Sequence, residues 1–121
     1  MKFIGIDIIE IARIEQAINR RGQNFLRRIY TESELQQYQQ QTESLAARFA
    51  GKEAVMKTIR APGKGVRFKD IEIVANSDGQ PLVHLYGNAR KQADSLGLSS
   101  LSISLSHSRK QAIAFAVGET K

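Results

Sequence analysis

The 121-residue chain has no cysteine and no tryptophan, and only two prolines and two histidines. Without cysteine, disulfides, thiolate metal sites and cysteine nucleophiles are excluded. Two histidines alone supply too few ligands for a structural zinc site. No apolar run approaches the ~20 residues needed to cross a bilayer, and no charged-then-apolar leader opens the chain. The expectation is a soluble cytoplasmic protein that does not engage a membrane. Neither GxxxxGK[ST] nor GxGxxG occurs, so the common nucleotide-binding folds gain no support. Acidic residues are also in deficit: 18 Lys and Arg against 12 Asp and Glu leave a net charge of +6. Anionic partners follow, whether phosphates, nucleic acid or an acidic protein.

What is present reads as one domain over residues 1–121, long enough for a modest core. "KFIGIDII" is a strand whose alternation puts Phe3, Gly5, Asp7 and Ile9 on one face. "EIARIEQAINRRG" is a helix with an apolar stripe of Ile11, Ile14 and Ile18, closed by Gly22, with Arg13 and Arg20 on the opposite side. "TESE" fits a capping box, with Thr31 at the N-cap and Glu34 three residues on. A short Gln-rich helix follows, and Thr42 caps the next one, which ends before Pro62. "RAPGKGVRF" is a loop, and "DIEIVANSDGQPLVHLYG" a β-hairpin turning at Asn76 to Gly79. "NARKQADSLG" is a short helix ended by Gly97, and "LSISLSHSRKQAIAFAVG" gives two more strands. Helices early and strands late predict an α+β fold, helices packed on a mainly antiparallel sheet.

Within this pattern two acids stand out of place. Asp7 lies mid-strand in an apolar run, where Asp has poor β propensity. In "ARFAGKEAVMKTI", Leu45, Phe49, Met56 and Ile59 form the greasy stripe of a helix, and Glu53 falls about 40° from Phe49, with Lys57 one turn on. A buried carboxylate needs a cation, hydrogen bonds or a proton. Either the strand packs on this helix and the two acids meet, as suits Mg²⁺ completed by water and phosphate oxygens, or Asp7 ends its strand as a turn residue and Glu53 pairs with Lys57 at i, i+4. Arg48, Lys52, Lys57 and the Gly63-Lys64-Gly65 loop add cations and backbone amides that suit a phosphate. His107, after the alternating "SISLS", is either a phosphate donor or base, or a polar residue at a strand end. His84, inside the hairpin, reads as structural. The arginines at 13, 20, 21, 27 and 28 form either a solvated face or a docking surface.

"FIGIDIIEIARIE", "RFAGKEAVMK" and "SISLSHSRKQAIAFAV" together resemble the short, bacterial type of 4′-phosphopantetheinyl transferase, the holo-[acyl-carrier-protein] synthases. The resemblance extends over nearly the whole chain in order and spacing. F-x-x-K-E-x-x-x-K at Phe49, Lys52, Glu53 and Lys57, with G-I-D at Gly5 to Asp7, carries most of its specificity. It implies the fold of that family and a reaction moving the phosphopantetheine arm of coenzyme A to a serine of apo acyl carrier protein. The other product is adenosine 3′,5′-bisphosphate, and the reaction serves fatty acid biosynthesis.

By the same resemblance Asp7 and Glu53 bind Mg²⁺, with Glu53 and Lys57 catalytic. Arg48, Lys57, His107 and Ser108 contact phosphates, and Gly63, Lys64, Gly65 and Pro81 border the coenzyme. Acidic carrier protein docks on Arg13, Arg20 and Arg21, and the chain assembles as a homotrimer with sites between neighbours. Three positions depart from family patterns. Ile9 stands where longer members have a second acid, Ser108 where some relatives have Asp, and "APGKG" where a Gly-rich loop is usual.

Two other classes make different demands on the sequence. A small nucleic-acid-binding module would interleave aromatics with Lys and Arg on a sheet face. Only five Phe and three Tyr occur, and the late strands are rich in Ser and Ala, so no nucleic-acid partner is expected. A non-catalytic trimeric adaptor would have no use for the Asp7, Glu53 and Lys57 constellation.

Overall fold

The alternation in the first strand is realised in the computed structural model, which describes residues 1–121. Strand β1 (Lys2–Glu10) buries Phe3 and Gly5, half-buries Asp7 and Ile9, and turns Ile4, Ile6 and Ile8 outward. Helix α1 (Ile11–Arg21) follows directly and buries Ile11 and Ile14. At its end Gly22 takes φ +54° and returns its N–H to the Ile18 carbonyl. Helix α2 (Gln23–Ile29), which the sequence pattern had not marked, buries Leu26 and Ile29. Helix α3 (Glu32–Tyr38) begins with the expected capping box between Thr31 and Glu34.

Helix α4 (Thr42–Thr58) is the axis of the molecule. It starts one residue earlier than the capping pattern suggested. Gln41 holds the cap position because its N–H already closes a turn on the Tyr38 carbonyl at 2.8 Å, so Thr42 is helical. The single greasy stripe also needs correction. Leu45 and Ile59 are buried but Phe49 and Met56 only partly so, while Ala46, Ala47, Ala50, Gly51, Ala54 and Val55 are buried around the circumference. A helix of small residues can be approached closely from several sides at once. β1, the last two strands, a hairpin and α1 all do so.

After a 3₁₀ turn (Phe68–Asp70) come β2 (Ile71–Ala75), β3 (Pro81–Leu85), α5 (Gly87–Ser95), β4 (Leu98–His107) and β5 (Gln111–Thr120). The strands do not form one sheet. β1, β5 and β4 make a three-stranded antiparallel sheet in that order, and β2–β3 is a separate antiparallel hairpin. The two meet through side chains over Gly51. A Cβ there would lie 2.5 Å from Ile73 Cδ1 and 3.1 Å from Ile103 Cδ1, so residues of both sheets interdigitate on α4 instead of sharing a ladder. Ala114 and Ala116 of β5 join the same core, with Ala50, Ala54, Ile71 and Ile73. No helix is long and apolar enough to cross a membrane.

Candidate functional site

Gly5 sets the site. A Cβ at this position would stand 2.0 Å from the Ala54 carbonyl oxygen and 2.5 Å from Thr58 Oγ1. Only glycine lets β1 lie this close on α4. Two residues further along the same strand face, Asp7 reaches the flank of α4 that carries Glu53. Asp7 and Glu53 line one cavity of about 390 Å³, together with Arg13, Ile14, Phe25 and Phe49. Asp7 is therefore a mid-strand residue paired opposite Ala114, not a turn residue.

Lys57 completes the group. Its Nζ donates to the Ile6 carbonyl at 2.8 Å and forms an ion pair with Asp7 Oδ1 at 3.2 Å. The i, i+4 pairing of Glu53 with Lys57 does not form; β1 takes the lysine instead. Burial raises the Glu53 pKa above the ordinary carboxylate value, and the charge of Asp7 raises it further, with Lys57 opposing. Two carboxylates thus face each other with one cation between helix and strand. No group of three or more His, Asp or Glu side chains converges in a way that would enclose an ion. A pair of carboxylates fits a small hard cation that keeps water and substrate oxygens in its remaining positions.

Glu53 also borders a second cavity of about 390 Å³, lined by Met56, Lys57, Gly63, Gly65 and Val66 among others. Gly63 (φ +79°) and Gly65 (φ +70°) shape its loop, and Asn88 Nδ2 ties the loop down by donating to the Gly65 carbonyl at 3.0 Å. Lys64 is exposed at the tip between them. Arg48 lies one α4 turn before Lys52, its guanidinium 3.8 Å above the Tyr38 ring and its Nη2 donating to the Tyr38 hydroxyl at 2.7 Å. Arg48 Nε is buried without a hydrogen-bond acceptor, and burial lowers the pKa of the group.

The remaining candidates lie elsewhere in the chain. His107 is exposed at the end of β4. Ser108 Oγ accepts from the Lys110 and Gln111 amides at 3.3 and 3.2 Å and so shapes the β4–β5 turn. Pro81 opens β3 and borders a groove between β3 and β4. None of these three lines either Glu53 cavity. Arg20 and Arg21 are exposed in the last turn of α1, while Arg13 stands at the Asp7–Glu53 cavity. His84, read as structural, is exposed on β3.

Lys52 requires correction. Expected among the phosphate-binding cations, it is fully buried and forms an ion pair with the equally buried Glu34 Oε1 at 2.8 Å. The α4 turn that exposes Glu53 to the cavity points its neighbour into the core. Nothing in the local pattern distinguished Glu34 from an ordinary capping-box acid, because its second role depends on α4, distant in sequence.

The model of the 4′-phosphopantetheinyl transferase superfamily matches residues 3–116. The chain is 45% identical to the holo-[acyl-carrier-protein] synthase of Herpetosiphon aurantiacus, with 98% of each chain covered. It is 50% identical to that of Dehalococcoides mccartyi strain CBDB1, covering 98% of this chain and 99% of the relative. Among solved structures, the Helicobacter pylori holo-[acyl-carrier-protein] synthase in complex with coenzyme A superposes with a TM-score of 0.86 at 38% identity, over 96% of this chain and 99% of that one. The Bacillus anthracis synthase in complex with CoA (3′,5′-ADP) does so with a TM-score of 0.78 at 34% identity, over 98% and 96%.

Proposed function

The chain belongs to the 4′-phosphopantetheinyl transferase superfamily and is an enzyme of its holo-[acyl-carrier-protein] synthase branch; from that premise we propose that it transfers the 4′-phosphopantetheine arm of coenzyme A to a serine of apo acyl carrier protein in a Mg²⁺-dependent reaction. The products are holo carrier protein and adenosine 3′,5′-bisphosphate, and the reaction supplies fatty acid biosynthesis. The observation that carries this reading is the convergence of Asp7 and Glu53 on one cavity, with Lys57 ion-paired to Asp7.

Asp7 and Glu53 hold the Mg²⁺ in this reading. Bound there, Mg²⁺ would supply positive charge to offset that of the coenzyme pyrophosphate and of the phosphoryl group under attack. Lys57 lies beside the same carboxylates, placed to neutralise the pyrophosphate and to give a proton to the leaving group. The proton of the attacking serine goes to Glu53, which lines both cavities, or to a water at the site. Gly63, Lys64 and Gly65 form the loop around the second Glu53 cavity, a suitable border for the coenzyme. Arg48, half-buried against Tyr38 and lining neither Glu53 cavity, is a further cation offered to a coenzyme phosphate.

Carrier protein docks along α1, where Arg20 and Arg21 are exposed and Arg13 reaches the cavity that holds the acids. Pro81, His107 and Ser108 contact the coenzyme of a neighbouring subunit, in a homotrimer with its sites between subunits. None of the three lines a Glu53 cavity within one chain, which supports this division. So does the outer face of the three-stranded sheet, where Ile4, Ile6, Ile8, Ile113 and Phe115 are 37–61% exposed side by side.

The test is the intact mass of apo acyl carrier protein after incubation with this enzyme and coenzyme A, with Mg²⁺ or with EDTA. One phosphopantetheine should be gained with Mg²⁺ and none with EDTA. No gain with any of several carrier proteins would overturn the transfer; a gain unaffected by EDTA would remove the metal from it.

A further inference from the structure

Immediately before Glu53 the chain places a lysine that no solvent reaches. The three hydrogens of the Lys52 ammonium meet three acceptors: Glu34 Oε1 at 2.8 Å, the Phe68 carbonyl at 3.1 Å and the Ile71 carbonyl. Glu34 is equally committed. Its Oε1 accepts from the Thr31 amide at 2.8 Å as well as from Lys52, and its Oε2 accepts from the Ile73 amide at 2.8 Å. One ion pair therefore ties α4 to the first turn of α3, to the 3₁₀ turn at Phe68 and to both ends of the first half of β2.

Such a pair is a poor source of stability. Two charges withdrawn from water lose hydration that their attraction only roughly repays, and apolar residues of similar volume often serve as well. Its geometric specificity is another matter. An apolar side chain at position 52 could slide or rotate in its pocket, whereas an ammonium with three fixed acceptors has one orientation. Successive residues on a helix are about 100° apart. Fixing Lys52 toward β2 therefore fixes the direction in which Glu53 leaves α4, and that direction is the cavity bordered by Asp7.

We propose that Glu34 and Lys52 are positioning residues for the transferase site, setting the rotation of α4 that brings Glu53 to face Asp7 across the cation position. This rests on the reading of Asp7 and Glu53 as the Mg²⁺ ligands. Glu34 and Lys52 touch neither substrate nor metal and act only through Glu53.

The double variant Glu34→Leu/Lys52→Met removes both charges together and leaves none buried alone. It is compared with the wild-type chain in three measurements: thermal unfolding, kcat and KM for coenzyme A and carrier protein, and Mn²⁺ affinity by electron paramagnetic resonance in the presence of coenzyme A. The expected result is a cooperatively folded variant with KM for carrier protein within twofold of wild type. Its kcat should be lower, and its Mn²⁺ dissociation constant higher, by about tenfold or more, the scale on which supporting residues affect metal sites. A folded variant with wild-type kcat and Mn²⁺ affinity would overturn the proposal. Failure of the double variant to fold would also overturn it, by assigning the pair to stability. The functional reading fails separately: a wild-type chain that neither modifies carrier protein nor binds Mn²⁺ refutes it before any variant is considered.

Discussion

At the scale of single residues, the site is two acids and the lysine that β1 shares with α4. Glu53→Gln keeps the shape but removes the charge that the proposed metal site relies on, and turnover should fall by roughly 100-fold or more, measured as carrier protein modified per minute. The same substitution should have the opposite effect on the metal-free fold. Burial and Asp7 raise the Glu53 pKa in the folded state above its ordinary value of 4.5. The folded state then binds the proton more tightly than the unfolded one. This contribution to stability is fully present below the unfolded pKa and is lost as pH rises through the folded pKa. In EDTA, wild type should therefore lose melting temperature relative to Glu53→Gln as pH is raised from 4 to 8, and Mg²⁺ should reverse the loss in wild type alone. Unequal melting curves at pH 4 that converge at pH 8 would contradict the assigned direction. Asp7 and Glu53 were legible in the sequence because each breaks a local pattern, an acid in a strand or on a greasy helix face. Lys52 was not, because an ammonium in the core is recognisable only by Glu34, and no local pattern links residues 34 and 52.

At the scale of elements, the packing of β1 on α4 does most to build the site. Gly5→Ala places a methyl 2.0 Å from the Ala54 carbonyl. The strand must lift, at a cost of about 3 kcal/mol by the scale of overpacked cores, read as a fall in denaturation midpoint. Activity should fall with it even well below the melting temperature, because Asp7 rides on the same strand. The exposed end of α1 allows a cleaner separation of roles. Arg20→Glu should raise KM for carrier protein by about tenfold at low salt and leave KM for coenzyme A unchanged, with the difference shrinking as salt is added. Equal effects on both KM values would remove α1 from docking. Alternation and caps made β1, α1, α3, the hairpin and the last two strands legible. What they did not disclose was α4 enclosed on several sides, or two sheets in place of one. Both follow from how small residues at 47, 50, 51 and 54 let distant strands approach, which no single segment encodes.

At the scale of the whole molecule, the outer sheet face is the feature a lone chain leaves unexplained. Registers across β1, β5 and β4 align Ile6 with Phe115 and Ser104, and Ile8 with Ile113 and Ser106. An apolar half and a hydroxyl half thus share one surface, and Ile6, midway along the edge strand β1, is 54% exposed. In the proposed homotrimer this face is covered, so Phe115→Glu should give monomers in sedimentation velocity while leaving the circular dichroism spectrum of the chain intact; an unchanged sedimentation coefficient would place any self-association elsewhere. Within each chain Glu53 is the wall common to two cavities of equal size, one beside α1 and one beside the glycine loop. A carboxylate approached from both sides does not require one substrate to depart before the other arrives. In the proposed reaction, donor and acceptor would then be on the enzyme together, and the phosphoryl group would pass directly from one to the other with no covalent stop on the protein.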